Sequence, residues 1–421
     1  MTEALPMPDS LRVCMVSTSA TRGGAAKMAA TLAAALNSSE LGVRAILYHC
    51  GDHLTAGDVV GLRRPLSRQI NAVLARLGGD ELICDFGVAR QLTDLVRDFD
   101  VVHLHNLHGY YLDYRRLLDG LREKPVVWTW HDMWPITGRC GFSLECAKWQ
   151  TGCVSCPNLG YYPTAWIDWA SRDFKSRSAR LVGSTNLSIV APSRWLAELG
   201  LARGYSSARL AVIPNPVDLG HFGPGTRSVA RTRLGLADQA PLLLFVAAKC
   251  DDPRKGFDDF CAVAARLGVR GIAVGHSSRR STRLVDVVGP VHSQATLADF
   301  YRAADALVVP SSSDNYPNTT IEAQACGTPV FVYRTGGLPE QVPPFWSGVA
   351  EPHDIDGLAK LIQAFLRDGG KTDSLSVRIG EHAVATWSPD AAAARYRAVY
   401  ARALGRKGVS SLHPRTGTEL T

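Results

Sequence analysis

The feature that most limits what this chain can fold into is a strand–turn–helix alternation that runs through its first half and then starts again. Leu11–Ser17 is an apolar run, Thr18–Gly24 is turn-like, and Ala25–Asn37 is alanine-rich and predicted helical. Val43–His49, Val101–His105 and Pro125–Trp130 read as further strands with helical patterns between them. The second series is Pro241–Ala248 (strand), Phe257–Leu267 (helix), Gly271–Gly275 (strand), Leu297–Ala303 (helix), Ala306–Pro310 (strand), Thr319–Ala325 (helix) and Pro329–Tyr333 (strand). Strands alternating with helices imply parallel sheets with right-handed crossovers. Between the two series lies Ala191–Pro224, with four prolines and a turn at Pro214-Asn215-Pro216. At 421 residues the chain is long enough for two such units. The expected architecture is α/β: two doubly wound domains, 1–205 and 206–386, facing a cleft lined by strand carboxyl ends. Pro389–Leu404 reads as a long helix after a break at Trp387-Ser388, its apolar face able to cross back onto the first domain. That places a returning helix at 387–405 and a polar tail, expected to be disordered, at 406–421.

Composition removes several classes. With 46% hydrophobic and 20% charged residues, the chain is globular rather than disordered. Apolar stretches such as Pro241–Ala248 are far shorter than the ~18 residues of a membrane-spanning helix. The start, MTEALPMPDS, lacks a basic region and an apolar core, so no export signal is expected and the ten cysteines should sit reduced in a cytoplasmic protein. A formal charge of +7 suits an anionic substrate or lipid surface better than nucleic acid.

The chemistry concentrates around Asp314-Asn-Tyr-Pro-Asn-Thr-Thr-Ile-Glu322, between a strand and a helix. Asn318 is the expected N-cap, which puts the free N–H groups of Thr319 and Thr320 in the first turn, where a phosphate would bind. Glu322 would repel that phosphate unless it points elsewhere, for example at sugar hydroxyls; alternatively it only favours the helix's positive end. Lys249 and Lys255 follow Pro241–Ala248, the first strand of the same half, and alone would be a solvated pair. Arg22-Gly23-Gly24-Ala25 closes the first strand without G-x-G-x-x-G, which argues against a nicotinamide cofactor. His131 follows a strand directly, a place where a histidine is more often structural. In His103-Leu-His105-Asn106-Leu-His108-Gly109, His103 should face the core.

Asp314 and Glu322 are eight apart and precede Ala-Gln-Ala-Cys-Gly-Thr-Pro-Val. This resembles the E-x₇-E signature of retaining glycosyltransferases of family four, with Asp in the first position. Thr335-Gly-Gly-Leu-Pro-Glu340 resembles the family's glycine turn, and Ala248–Gly256 its pyrophosphate-clamping motif, with Lys249 in place of Arg. The strings HLHNLHGYYLDY, VVWTWHDMWPITGRC and DNYPNTTIEAQACGTPV resemble the colanic-acid and exopolysaccharide branch. The resemblance covers most of residues 11–405. It implies a GT-B fold and transfer from a nucleotide-diphosphate sugar to a saccharide acceptor, expected to be lipid-linked. Lys249 and Lys255 would hold the diphosphate, Glu322 the ribose, and Asp314 and His131 the donor sugar. Gly23 and Gly24 would face the diphosphate and acceptor, with Asn106 and His108 as acceptor contacts. No Asp-x-Asp pair is evident, so no catalytic metal is implied. A nucleotide-sugar 2-epimerase of the same fold is an alternative, and a zinc-containing nucleic-acid binder a more distant one.

Cys140, Cys146, Cys153 and Cys156 form C-x₅-C-x₆-C-x₂-C within an insertion at 138–160. In a reduced compartment this spacing points to a structural Zn²⁺, with a disulfide pair, an iron–sulfur cluster or free thiols as alternatives. Leu66, Ile70, Val73, Leu74 and Leu77 fall at helical spacing beside Arg63, Arg64, Arg68 and Arg76. That helix either packs on its own domain or docks on anionic lipid.

Overall fold

Near-continuous apolar runs in short strands demand cover on both sheet faces, and the fold supplies it twice. The structure, a computed structural model, describes residues 10–50, 55–62, 67–84, 87–236 and 240–410, with side chains described at all of these except 67 and 406–410. The first sheet has seven strands: β1 (Leu11–Ser17), β2 (Val43–His49), β3 (Val59–Gly61), β4 (Val101–Leu104), β5 (Val126–Thr129), β6 (Leu187–Ala191) and β7 (Leu210–Val212). They lie in the order β3-β2-β1-β4-β5-β6-β7, every pair parallel. The second sheet has six: β8 (Leu242–Lys249), β9 (Arg270–His276), β10 (Val285–Val288), β11 (Ala306–Val309), β12 (Val330–Tyr333) and β13 (Val349–Ala350). Their order is β10-β9-β8-β11-β12-β13, again parallel throughout.

Each sheet carries an apolar core on both faces. In each, strand order reverses beside the first strand, between β1 and β4 and between β8 and β11. The carboxyl ends at such a reversal splay into a crevice, the ligand position of open α/β sheets. Thr18–Gly24 and His105–Gly109 leave the first crevice; Cys250–Gly256 and Ser311–Asn318 leave the second.

The first sheet takes in β7, so the first unit extends past the expected boundary at 205/206. Ala191–Pro224 is not all linker: it holds the end of β6, the helix Arg194–Ala202 and β7. The helix Pro389–Ser410 does return to the first domain, where Ala393, Tyr396, Tyr400 and Ala403 are buried with Val13, Met15, Val127 and Val190. It outlasts the expected end at 405; the remainder of the polar tail, 411–421, lies outside the described residues. His103 is core, as expected: its ring nitrogens meet the Tyr400 hydroxyl and Thr129 Oγ1, each at 2.8 Å.

Candidate active site

Asp314 leaves β11 in a loop whose backbone is pinned by the glycine turn. Gly336 has φ 55°, and a Cβ there would sit 1.7 Å from the Asp314 carbonyl, so only glycine allows this approach. The Asp314 carboxylate is buried against Lys255, which forms a direct ion pair with it, and Arg254, 3.6 Å away. Arg254 also bonds Asp252 at 3.0 Å and lies 4.0 Å over the Phe142 ring. The loop thus builds a small cationic knot around one carboxylate. Lys249 stands apart from it, exposed at the end of β8.

The helix after this loop starts one residue earlier than expected. Pro317, not Asn318, is the N-cap residue of Asn318–Ala325, and no side chain caps the helix. Proline has no N–H and fixes φ, so it can begin a helix without leaving a donor unpaired. Asn318 instead crosses the cleft, its Nδ2 donating to the Gly24 carbonyl at 3.2 Å. Thr320 turns back to the Pro317 carbonyl at 2.7 Å, and Thr319 is half-buried. The first-turn N–H groups receive no side-chain acceptor, which leaves a positive helix end facing Gly23–Gly24. Gly23, at φ 91°, ends the β1 loop there with nothing within 4 Å of a built Cβ.

One turn further, Glu322 is 6% exposed and accepts the Tyr301 hydroxyl at 2.8 Å. Burial pushes its pKa above the ordinary 4.5, with Lys27 and Tyr301 pulling back only in part. Lys27, Asn318, Asp218, Gln294 and Glu322 share a narrow recess between the domains.

The opposing wall is histidine-rich. His131 Nε2 lies 3.0 Å from His105 Nδ1, with the rings nearly coplanar at 22°. Burial lowers the His131 pKa to about 4 and that of His105 well below its ordinary value, so both are neutral near pH 7. His108 bonds Asp132 at 2.8 Å. Burial opposes both charges, but their mutual attraction prevails, raising His108 and lowering Asp132. Asn106 serves locally through its carbonyl, which receives Thr18 and Tyr111 at 3.2 and 2.8 Å.

The walls are latched together. Asn315 Nδ2 donates to the His131 carbonyl at 2.9 Å, and its Oδ1 accepts from Ser193 at 3.0 Å. Glu340 receives the N–H groups of Arg194 and Trp195, each at 2.8 Å, capping a first-domain helix from the second domain. Arg254, Asn315, His105, Tyr301 and Lys27 were given no role from sequence. Arg254 and Asn315 lie inside the motifs, directly beside Lys255 and Asp314, and that position was the available signal.

The four clustered cysteines are free thiols. Cys153 sulfur accepts the Gly138 N–H at 3.2 Å and Cys156 sulfur faces Arg139 at 3.9 Å. Among the described residues no three His, Cys, Asp or Glu side chains are grouped to hold a metal. The Zn²⁺ expected at these thiols enters no step of the sugar transfer.

Two doubly wound parallel-sheet domains facing this cleft make up the GT-B fold. A sucrose-phosphate synthase from Thermosynechococcus elongatus superposes at a TM-score of 0.69 with 20% identity, over 94% of this chain and 99% of that one. Anabaena HepE, in complex with UDP and glucose, superposes at 0.62 with 15% identity, over 96% and 100%. Residues 22–221 match the model for Glycosyltransferase Family 4, and residues 240–368 that for Glycosyl transferases group 1. A D-inositol 3-phosphate glycosyltransferase of Catenulispora acidiphila is 32% identical over 302 residues, 62% of this chain and 68% of that protein. One from Mycobacterium marinum is 35% identical over 216 residues, 47% of this chain and only 46% of its own length. The chain belongs to glycosyltransferase family 4.

Proposed function

We propose that the protein transfers a sugar from a nucleotide diphosphate to a saccharide acceptor with retention of anomeric configuration. The observation that carries this reading is Glu322: a carboxylate buried at a cost one turn inside an uncapped helix end, with Lys27 in the same recess and Lys255 held by Asp314 at the start of the same motif. HepE, of the same fold, binds UDP and UDP-glucose, which supports a uridine nucleotide as the first to try.

The diphosphate would lie on the first turn at Thr319 and Thr320, with Lys255 and Lys249 offsetting its charge. Asp314, held by Lys255 and Arg254, aims those cations. Glu322 would accept the ribose hydroxyls, and neutral His131 would position the sugar. As the anomeric C–O bond breaks, its electron pair stays on the leaving phosphate oxygen. The acceptor oxygen bonds on the same face and gives its proton to that phosphate. Stabilising the leaving charge in place is the main catalytic contribution.

For the acceptor, the motif strings favour a lipid-linked saccharide in cell-surface polysaccharide assembly, with the protein peripheral at the membrane. The inositol phosphate relatives favour a second reading, a soluble polyol phosphate. Thermal shift against a panel of nucleoside diphosphates and their sugars is the test. A selective rise in melting temperature with one nucleotide, and sugar transfer only when acceptor is added, is expected. Stabilisation by none of them would sink the reading, and epimerised donor without acceptor would point to an epimerase.

A further inference from the structure

One face of the first domain turns its apolar side chains outward. On the helix Ser67–Gly78, Ile70, Val73 and Leu77 are 48, 42 and 40% exposed, and Leu82 beyond it is 44% exposed. The side facing the protein carries buried Asn71, bonded to the Cys84 and Tyr110 carbonyls. The expectation that this helix packs its apolar stripe on its own domain therefore fails at these positions; Leu66, Arg63 and Arg64 lie outside the described residues.

A second segment extends the face. Tyr162, Trp166 and Ile167 are 55, 60 and 45% exposed. The N–H groups of Trp166 and Ile167 donate to the Arg76 carbonyl at 2.9 and 3.3 Å, and the Arg76 guanidinium lies 5.9 Å from the Trp166 ring. Trp169 Nε1 donates to the Leu77 carbonyl. These bonds make the two segments one surface. It holds seven of the thirteen large hydrophobic side chains exposed among the described residues. Concentration of that kind marks an interaction site, whereas scattered exposed hydrophobics do not.

Charge selects the occupant. Residues 63–77 contain four arginines and no Asp or Glu. Arg68 and Arg76 have no carboxylate partner among the described residues, while the nearby acids are already engaged, Asp80 by Arg177, and Glu81 and Asp173 by Arg172. Aromatic and aliphatic tips beside arginines whose charge no carboxylate offsets are the composition of a surface that lies in a lipid headgroup region. Directly behind the face is a narrow recess lined by Ala75, Tyr110, Trp134, Tyr162 and His108. His108 joins it to Asp132, next to His131.

We propose that this face docks the protein on an anionic lipid bilayer, which would bring the recess and the His108 end of the cleft to the membrane surface. The proposal deepens the lipid-linked acceptor reading and rests on it for its purpose, but its test needs neither donor nor acceptor. The full chain is floated with phosphatidylcholine vesicles with or without phosphatidylglycerol. It should rise with the anionic vesicles, and less so as salt increases. An Ile70→Asp/Trp166→Asp variant should bind at least about tenfold more weakly at an unchanged melting temperature, since both positions are exposed. A control pair on the second domain, Val377→Asp/Val384→Asp, should float like the parent. The proposal is overturned if the parent stays down with both vesicle types, if the Ile70/Trp166 variant floats equally well, or if the control pair is equally impaired. Light scattering without vesicles gives the remaining arm: a monomer agrees, whereas a dimer that the Ile70/Trp166 variant dissociates would assign the face to a second copy of the chain. Donor binding by the non-floating variant separates failure of docking from failure of the transferase reading.

Discussion

Replacing Glu322 with Gln separates a carboxylate kept for binding from one kept for the fold. Glu322 is 6% exposed, and its one hydrogen-bond partner among the described residues is the Tyr301 hydroxyl. Burial raises its pKa above 4.5, so the folded state holds this proton more tightly than the unfolded chain does. A group of that kind contributes its stability in full below the unfolded value and loses it as pH rises through the folded one. At neutral pH the ionised side chain therefore costs stability, and Gln keeps its shape without its charge. Glu322→Gln should melt at or above the parent at pH 7, with the difference vanishing at pH 4 and below. Binding should move the other way. A ribose diol offers a carboxylate two hydroxyl donors, and hydrogen bonds to a charged group are worth about 1.5–3 kcal/mol each against about 1 for neutral ones. Losing charge assistance in both should weaken UDP binding about 10- to 100-fold. Calorimetric titration with UDP and melting curves at the two pH values measure both effects. Unchanged UDP affinity, or a loss of several kcal/mol of stability at neutral pH, would refute the assignment and leave Glu322 a structural acid.

Lys255→Ala should lower kcat about 10²- to 10³-fold through lost stabilisation of the leaving phosphate, read by steady-state transfer. It should also cost about 3 kcal/mol of stability, because Asp314 stays buried with only Arg254 near it. His105→Phe keeps the buried ring but removes the bond to His131, so kcat should fall up to about tenfold with the melting temperature little changed. The ring ¹⁵N shifts of His131 should change with it, which a merely structural role would not require. Tyr396→Ala should destabilise the first domain by about 3–5 kcal/mol, through an emptied core site and a lost bond to Thr129, seen as a lower denaturant midpoint.

The long apolar runs were legible because composition alone buries them: β1, β2 and the helix Phe257–Leu267 fall where periodicity puts them. β3, β7 and β13 are two or three residues long and, Ala350 apart, half-buried or exposed, so they carry no period to read. In the site, residue types were legible and their partners were not. Lys255 and Asp314 are 59 residues apart, Asn315 and the His131 carbonyl 184 apart, and nothing local announces either pair. The Asn318 cap failed for a local reason, since the proline before it starts the helix unaided. The cysteine spacing suggested a tetrahedral ligand set, but spacing fixes only how far four thiols can reach and not whether they close on one ion. The helix at 67–78 was ambiguous because period shows that one side is apolar and never which way that side faces.

The returning helix has a consequence for the order of events at the ribosome. The core beside β1, β4 and β5 is closed by Tyr396, Tyr400 and Ala403, which are made only after the whole second domain. A domain whose strands emerge first must therefore wait, its His103 and Thr129 hydroxyl-bonding groups uncovered, until the second domain has been synthesised. At about 5–20 residues per second that wait is on the order of ten to forty seconds. The second domain, contiguous in sequence, can fold meanwhile and serve as a platform. Synthesis is thus vectorial while completion is circular: the first domain begun is the last one finished, and a message cut short leaves it open.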